Sequence, residues 1–116
     1  LPTTNAAYPM HSRIRYFNPE HRRAGIPEDV CSLVNGLSAD EIKLTLVNTN
    51  QVKSRVVIVQ GGAYGEHQIE DAEVSGHKNQ IDDKHLAIEL APGCGANLVI
   101  KTQRYTNTPT LEFPWV

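Results

Sequence analysis

These 116 residues predict an all-β fold, an antiparallel β-sandwich of the immunoglobulin-like or Greek-key type with one short helix near residues 27–35. Three observations carry that reading. From Glu41 onward, short apolar segments recur at close, regular spacing with turn residues between them. Within most of them the apolar side chains alternate with polar ones, the period of a half-buried strand. One segment, Arg55 to Gln60, is a Val/Ile run apolar on both faces, as a central strand covered on both sides has.

Taken in order, Leu1 to Pro9 holds turn formers and two prolines without periodicity, so residues 1–11 are expected to be an extended arm or linker. The sandwich domain is placed at 12–105 and an extended tail at 106–116. Ser12 to Phe17 alternates Arg13 and Arg15 with Ile14 and Tyr16, a short strand that Asn18-Pro19 stops. Ile26 to Gly36 reads as the helix. Pro27 suits a first helical position, Glu28 and Asp29 suit the positive end of the dipole, and Val30, Leu33 and Val34 share a face.

Glu41 to Val47 turns Ile42, Leu44 and Leu46 one way, and Asn48 to Gln51 makes a turn before Arg55. A glycine-rich loop, Gly61 to His67, leads to a strand ending at Val74. His77 to Asp83 reads as a polar loop. His85 to Leu90 places Leu86, Ile88 and Leu90 on one face; Ala91 to Gly95 is a tight connector, and Ala96 to Thr102 turns Leu98 and Ile100 inward. The expected core is Ile14, Val30, Leu33, Ile42, Leu44, Leu46, Val57, Val59, Ile69, Leu86, Ile88, Leu90, Leu98 and Ile100.

Composition narrows the function classes. A net charge of −2 with dispersed basic residues argues against nucleic acid as a partner. No apolar run approaches bilayer length, so no membrane partner is expected. The chain opens on Leu1 without a charged-then-apolar leader, as a processed product or a piece of something larger would. Cys31 and Cys94 have two readings: one disulfide in an oxidising compartment, or two free, small buried side chains. An extracellular or periplasmic setting is favoured.

The stretches Leu46-Val-Asn48 and Leu90-Ala-Pro-Gly93 have a family look. Together with the strands around them, over roughly Glu41 to Tyr105, they resemble small β-sandwich domains at the C-terminal end of many glycoside hydrolases and related secreted bacterial proteins. In those domains a Leu-x-Pro-Gly corner leads to a last strand that returns beside the first. The resemblance implies a non-catalytic accessory module that packs on a catalytic domain or binds a partner. The helix and the aromatic tail fall outside its pattern.

Candidate sites are few. Tyr64, Glu66 and His67 make one compact cluster on a loop with three glycines, where an exposed ring can stack on a sugar and the polar pair can hold its hydroxyls. The same glycines serve a plain turn between strands, with Tyr64 packed inward. Five histidines show no i, i+2 or i, i+4 pair, and Asp82 and Asp83 lie between His77 and His85; neither a metal nor a cofactor is expected. Glu66, His67, Glu70 and Asp71 supply carboxylates and a base but no catalytic motif, so no catalytic residues are assigned. Phe113 and Trp115 in the tail are the candidate interaction residues, because they must pack on something, either on this chain or on a partner. The partner expected is a protein or neighbouring domain, this chain's own copy included, with carbohydrate as the alternative ligand. A second alternative is a self-assembling subunit joined through its terminal arms.

Overall fold

The computed structural model describes residues 13–103 and 105–115. Nine strands follow in chain order: β1 (Ile14–Asn18), β2 (Arg23–Ala24), β3 (Val30–Leu37), β4 (Glu41–Asn48), β5 (Arg55–Gly61), β6 (Gln68–Val74), β7 (His77–Asp83), β8 (His85–Leu90) and β9 (Gly95–Gln103). They form two antiparallel sheets packed face to face, ordered β2-β1-β5-β8 and β3-β4-β9-β6-β7. The sandwich expected from the sequence is therefore present. The arm assigned to residues 1–11 lies outside the described residues.

Alternation builds the core. In β4 the inward set Ile42, Leu44 and Leu46 is buried, and β9 answers with Leu98 and Ile100 directly opposite Leu44 and Ile42. The facing sheet supplies Val57, Val59, Leu86, Ile88 and Leu90. Leu33 is a correction: it is 64% exposed, on the outer face of β3. Ala72 joins the core instead, opposite Ile100.

Two elements differ from the sequence reading. The stretch expected to be a helix is the edge strand β3, and no helix occurs among the described residues. Pro27 to Val30 closes a turn, with the Val30 N–H donating to the Pro27 carbonyl at 3.0 Å. A helix of two to three turns has too few internal bonds to pay for its nucleation. Pairing with β4 from Val30↔Asn48 to Leu37↔Ile42 satisfies the same backbone, and the β-branched Val30 and Val34 suit it. Gly36 sits beside a bulge at Val34/Gly36 rather than capping a helix. The second difference is His77 to Asp83, which is strand β7 and not a loop. Ser75 and Gly76, at φ 49° and 89°, form the two-residue left-handed turn that joins β6 to β7.

The residues that carry the family resemblance meet in space. Asn48, fully buried at the end of β4, donates its side-chain amide to the carbonyls of Lys53 (2.9 Å), Leu90 (3.1 Å) and Ala91 (3.3 Å). Its side-chain oxygen accepts from Asn50 N–H, and its own N–H reaches the Cys94 carbonyl. One side chain thus ties the β4–β5 crossing to the Leu90–Cys94 corner across both sheets. We expect Asn48→Ala to destabilise the fold by about 2 kcal/mol, because it strands buried carbonyls without donors. Urea unfolding followed by circular dichroism checks this.

The tail lies on the outer face of the smaller sheet rather than along an edge. Phe17, opposite Ile58 and so on that outer face, is nonetheless completely buried. Phe113 and Trp115 cover it, with ring centroids at 5.5 and 5.8 Å, and Arg15 lies 4.9 Å above its ring. A second small apolar centre results, and it helps to explain why β5 is apolar on both faces.

Candidate functional site

Within the Gly61–His67 loop, the three candidate side chains do not converge on one surface. Tyr64 is half exposed. Glu66 turns back into the loop and accepts the Tyr64 N–H at 2.9 Å. His67 is buried, its Nδ1 accepting the Tyr105 N–H at 3.1 Å and its ring edge-on to Tyr105. Glu66 and His67 approach each other at 4.0 Å. The tail fastens the outside of the loop: Thr110 N–H donates to the Tyr64 carbonyl and Asn107 N–H to that of Glu66. From below, the Gln60 amide donates to the Gly62 and Ala63 carbonyls and accepts from His85 Nε2 at 2.8 Å. Such a loop can hold the tail and the β5–β6 crossing in place. A sugar would find Tyr64 alone.

A polar recess of about 330 Å³ opens at the other end of the sandwich, lined by Glu20, His21, Arg23, Glu28, Asp29 and Arg55 among others. Its centre is an internal network. Arg55 Nε donates to Asp29 at 2.8 Å, Asn50 donates to the other carboxylate oxygen at 2.9 Å, and Glu20 stands 3.6 Å from Arg55. Arg55 beside it, with Asn50 in support, holds the Asp29 carboxyl at about 2, below its ordinary 3.8. A carboxylate depressed by folding stabilises the fold above its unfolded value and loses that contribution as pH falls through the folded one. His85, lowered below 6.5 by burial, acts in the same direction, since acid must charge it. We therefore expect the urea midpoint to fall on acidification. The gap between wild type and Asp29→Asn should be widest near pH 7 and shrink between about pH 4 and pH 2, because the variant has no carboxylate to protonate.

Both cysteines are free and exposed, so the buried reading of them is corrected. Among the described residues no group of three or more His, Cys, Asp or Glu side chains is placed to hold a metal ion.

The feature with the geometry of a docking site is the open side of the sandwich between β1 and β3. The inner-face residues Ile14, Tyr16, Ser32 and Val34 border an apolar groove of about 470 Å³, with the outer-face residues Arg15 and Leu33 at its rim. The Tyr16 hydroxyl is buried there without a well-formed hydrogen bond; burial raises its pKa, and the neighbouring Ser32 hydroxyl opposes the rise only partly. β3 borders the groove as a sheet edge. The Asp29 carbonyl accepts the Thr49 N–H, which fixes the alternation: Cys31 and Leu33 turn their backbone groups to β4, while Ser32 and Val34 turn theirs outward. The outer face beside this edge is apolar as well, with Cys31, Leu33 and Val47 exposed next to one another.

Sequence reasoning missed this edge because it took β3 for a helix. The available signal was Val30, Ser32 and Val34 alternating with Cys31, Leu33 and Asn35 between two turns. Compared with known proteins, the chain matches no family model, no curated protein and no solved structure.

Proposed function

We propose that this chain is a non-catalytic β-sandwich module, working within or alongside a secreted, carbohydrate-related protein, and that it engages a protein partner through the β1–β3 edge. One observation carries the reading: β3 is an eight-residue edge strand, Val-Cys-Ser-Leu-Val-Asn-Gly-Leu, without a single charge. Edges that stay unpaired are usually blunted by charge, proline or brevity. The other edges of this sandwich follow that rule. β2 has two residues, β7 carries Lys78, Asp82 and Asp83, and β8 carries His85 and Glu89. An uncharged edge over an apolar groove suits strand addition, in which backbone bonds give affinity and alternate side chains fill the groove.

The accessory setting is supported by the resemblance. Its last strand, β9, lies beside β4, and its corner residues make the Asn48 clamp. Binding of carbohydrate through Tyr64, Glu66 and His67 gains less support, since two of the three are engaged inside the loop. Assembly through the arms gains no support from the tail, whose Phe113 and Trp115 pack on Phe17 of their own chain.

The test uses labelled extended peptides, alternating Val with Ser or Thr, in fluorescence anisotropy. We expect saturable binding that Val34→Pro abolishes, because proline removes an outward N–H. Binding that survives Val34→Pro, or no binding by any peptide at protein concentrations where the chain is a monomer, contradicts the edge.

A further inference from the structure

We infer that the partner strand is β3 of a second copy of this chain, paired antiparallel about a two-fold axis at Leu33, so that two five-stranded sheets become one continuous ten-stranded sheet. This rests on the reading of the β1–β3 edge as the working surface.

Four observations converge on self-pairing. First, two-fold pairing sets a strand against its own sequence, so any charge near the axis meets its like. β3 has none, whereas β7 and β8 do. Second, the outward groups of Ser32 and Val34 are two residues apart, as a two-fold centred between them requires. Ser32 of each copy faces Val34 of the other, and each pair exchanges both of its backbone bonds. Third, Leu33 then meets Leu33 across the axis at a non-hydrogen-bonded position, where side chains lie closest. Its 64% exposure is removed on the outer face. On the inner face, Ser32 and Val34 of the incoming strand close the groove and bring a hydroxyl toward the Tyr16 side.

The fourth observation is charge complementarity at the ends of the ladder. The Lys43 stem runs across Gly36, so its ammonium is carried toward the β3 edge. Antiparallel pairing brings the start of the partner's β3 to that place, with Glu28 two residues before Val30. Lys43 takes part in no ion pair among the described residues, and Glu28 acts on Arg55 across the recess only at longer range than an ion pair. Two symmetric Lys43–Glu28 pairs follow. The bulge at Val34/Gly36 limits the regular ladder to its centre, which makes the dimer concentration-dependent rather than permanent.

Light scattering on the full chain, coupled to size exclusion over a range of concentrations, tests this. The expected mass is twice the 12.8 kDa of one chain, falling to one chain on dilution and in Leu33→Lys at every concentration. Circular dichroism confirms that Leu33→Lys is folded; its site is exposed. The register is tested with Leu33→Cys in a Cys31→Ser, Cys94→Ser background. Mild oxidation should link it into a disulfide dimer, whereas Val52→Cys, at a position 82% exposed in the loop between β4 and β5, should stay single. A wild type at the mass of one chain throughout overturns the inference; so does a dimer that Leu33→Lys leaves intact or that Leu33→Cys does not cross-link. A monomer that still binds extended peptides in a Val34→Pro-sensitive way overturns the second copy alone and leaves the docking edge standing.

Discussion

Phe17→Ala should cost about 3–5 kcal/mol, the range for emptying a large buried aromatic site. It should also shift the emission of Trp115, the chain's single tryptophan, to longer wavelength. Phe17 has no exposed surface although it lies on the outside of its sheet. It is buried because Phe113, Trp115 and the guanidinium of Arg15 close over it, and His85 meets it edge-on at 6.3 Å. Removing the ring therefore empties the centre of an aromatic cluster and leaves Trp115 without its main support. The bonds that hold the tail to the loop, from Thr110 and Asn107, are exposed or half-buried and cannot keep it in place alone. Urea unfolding monitored by Trp115 fluorescence and by circular dichroism checks both parts. A full-size loss of stability with unchanged Trp115 emission would mean that the tail is held elsewhere.

Gly61→Ala is expected to cost about 3 kcal/mol, for a reason of close approach rather than of backbone angle. A Cβ at Gly61 would overlap the carbonyl oxygen of His67, where the loop returns on β5. Neither side can yield easily. The Gly61 N–H donates to the Lys84 carbonyl at 2.8 Å and its carbonyl accepts the His67 N–H at 3.1 Å, so both strands are fixed by backbone bonds. Gly62 next to it differs, with φ 83° and the flexible Glu66 carboxylate as its neighbour. The Gly61→Ala midpoint in urea should fall well below wild type, while a variant at exposed Gly76 that keeps a left-handed residue, Gly76→Asn, should change little. Comparable losses at both positions would mean that turn conformation, not contact, governs the loop.

The sandwich was legible because β4, β5, β8 and β9 write their burial directly into period-two patterns. Ile42, Leu44 and Leu46 point one way, and nothing in their neighbours competes with that signal. β3 was not legible for a physical reason. As an edge strand with one face over a groove and the other in solvent, it has a weak alternation, and Val30, Leu33 and Val34 fit a helical face equally well. β7 has Ile81 as its single apolar residue, so no period-two pattern marks it, and it reads as a loop despite the Ser75-Gly76 turn before it.

The candidate loop was legible as a loop but not as a site. Sequence placed Tyr64, Glu66 and His67 together, yet whether they face outward depended on the tail, which arrives from more than 35 residues away and takes up the backbone of Tyr64 and Glu66. The tail was expected to need cover for Trp115, and its ring meets Phe17, which lies at the far end of the chain. The working edge was invisible until β3 was known to be a strand at all.

Amide hydrogen exchange at Ser32 and Val34, measured at high and at low protein concentration, is the decisive test, because among the described residues these outward N–H groups of the β3 centre have no strand on their side. Slow exchange is expected in concentrated protein and fast exchange on dilution, while Cys31 and Leu33, bonded to β4, stay protected in both. Fast exchange of Ser32 and Val34 at every concentration would contradict self-pairing, for the edge would then be unused. Slow exchange at every concentration would contradict it as well, because the edge would be covered by its own chain.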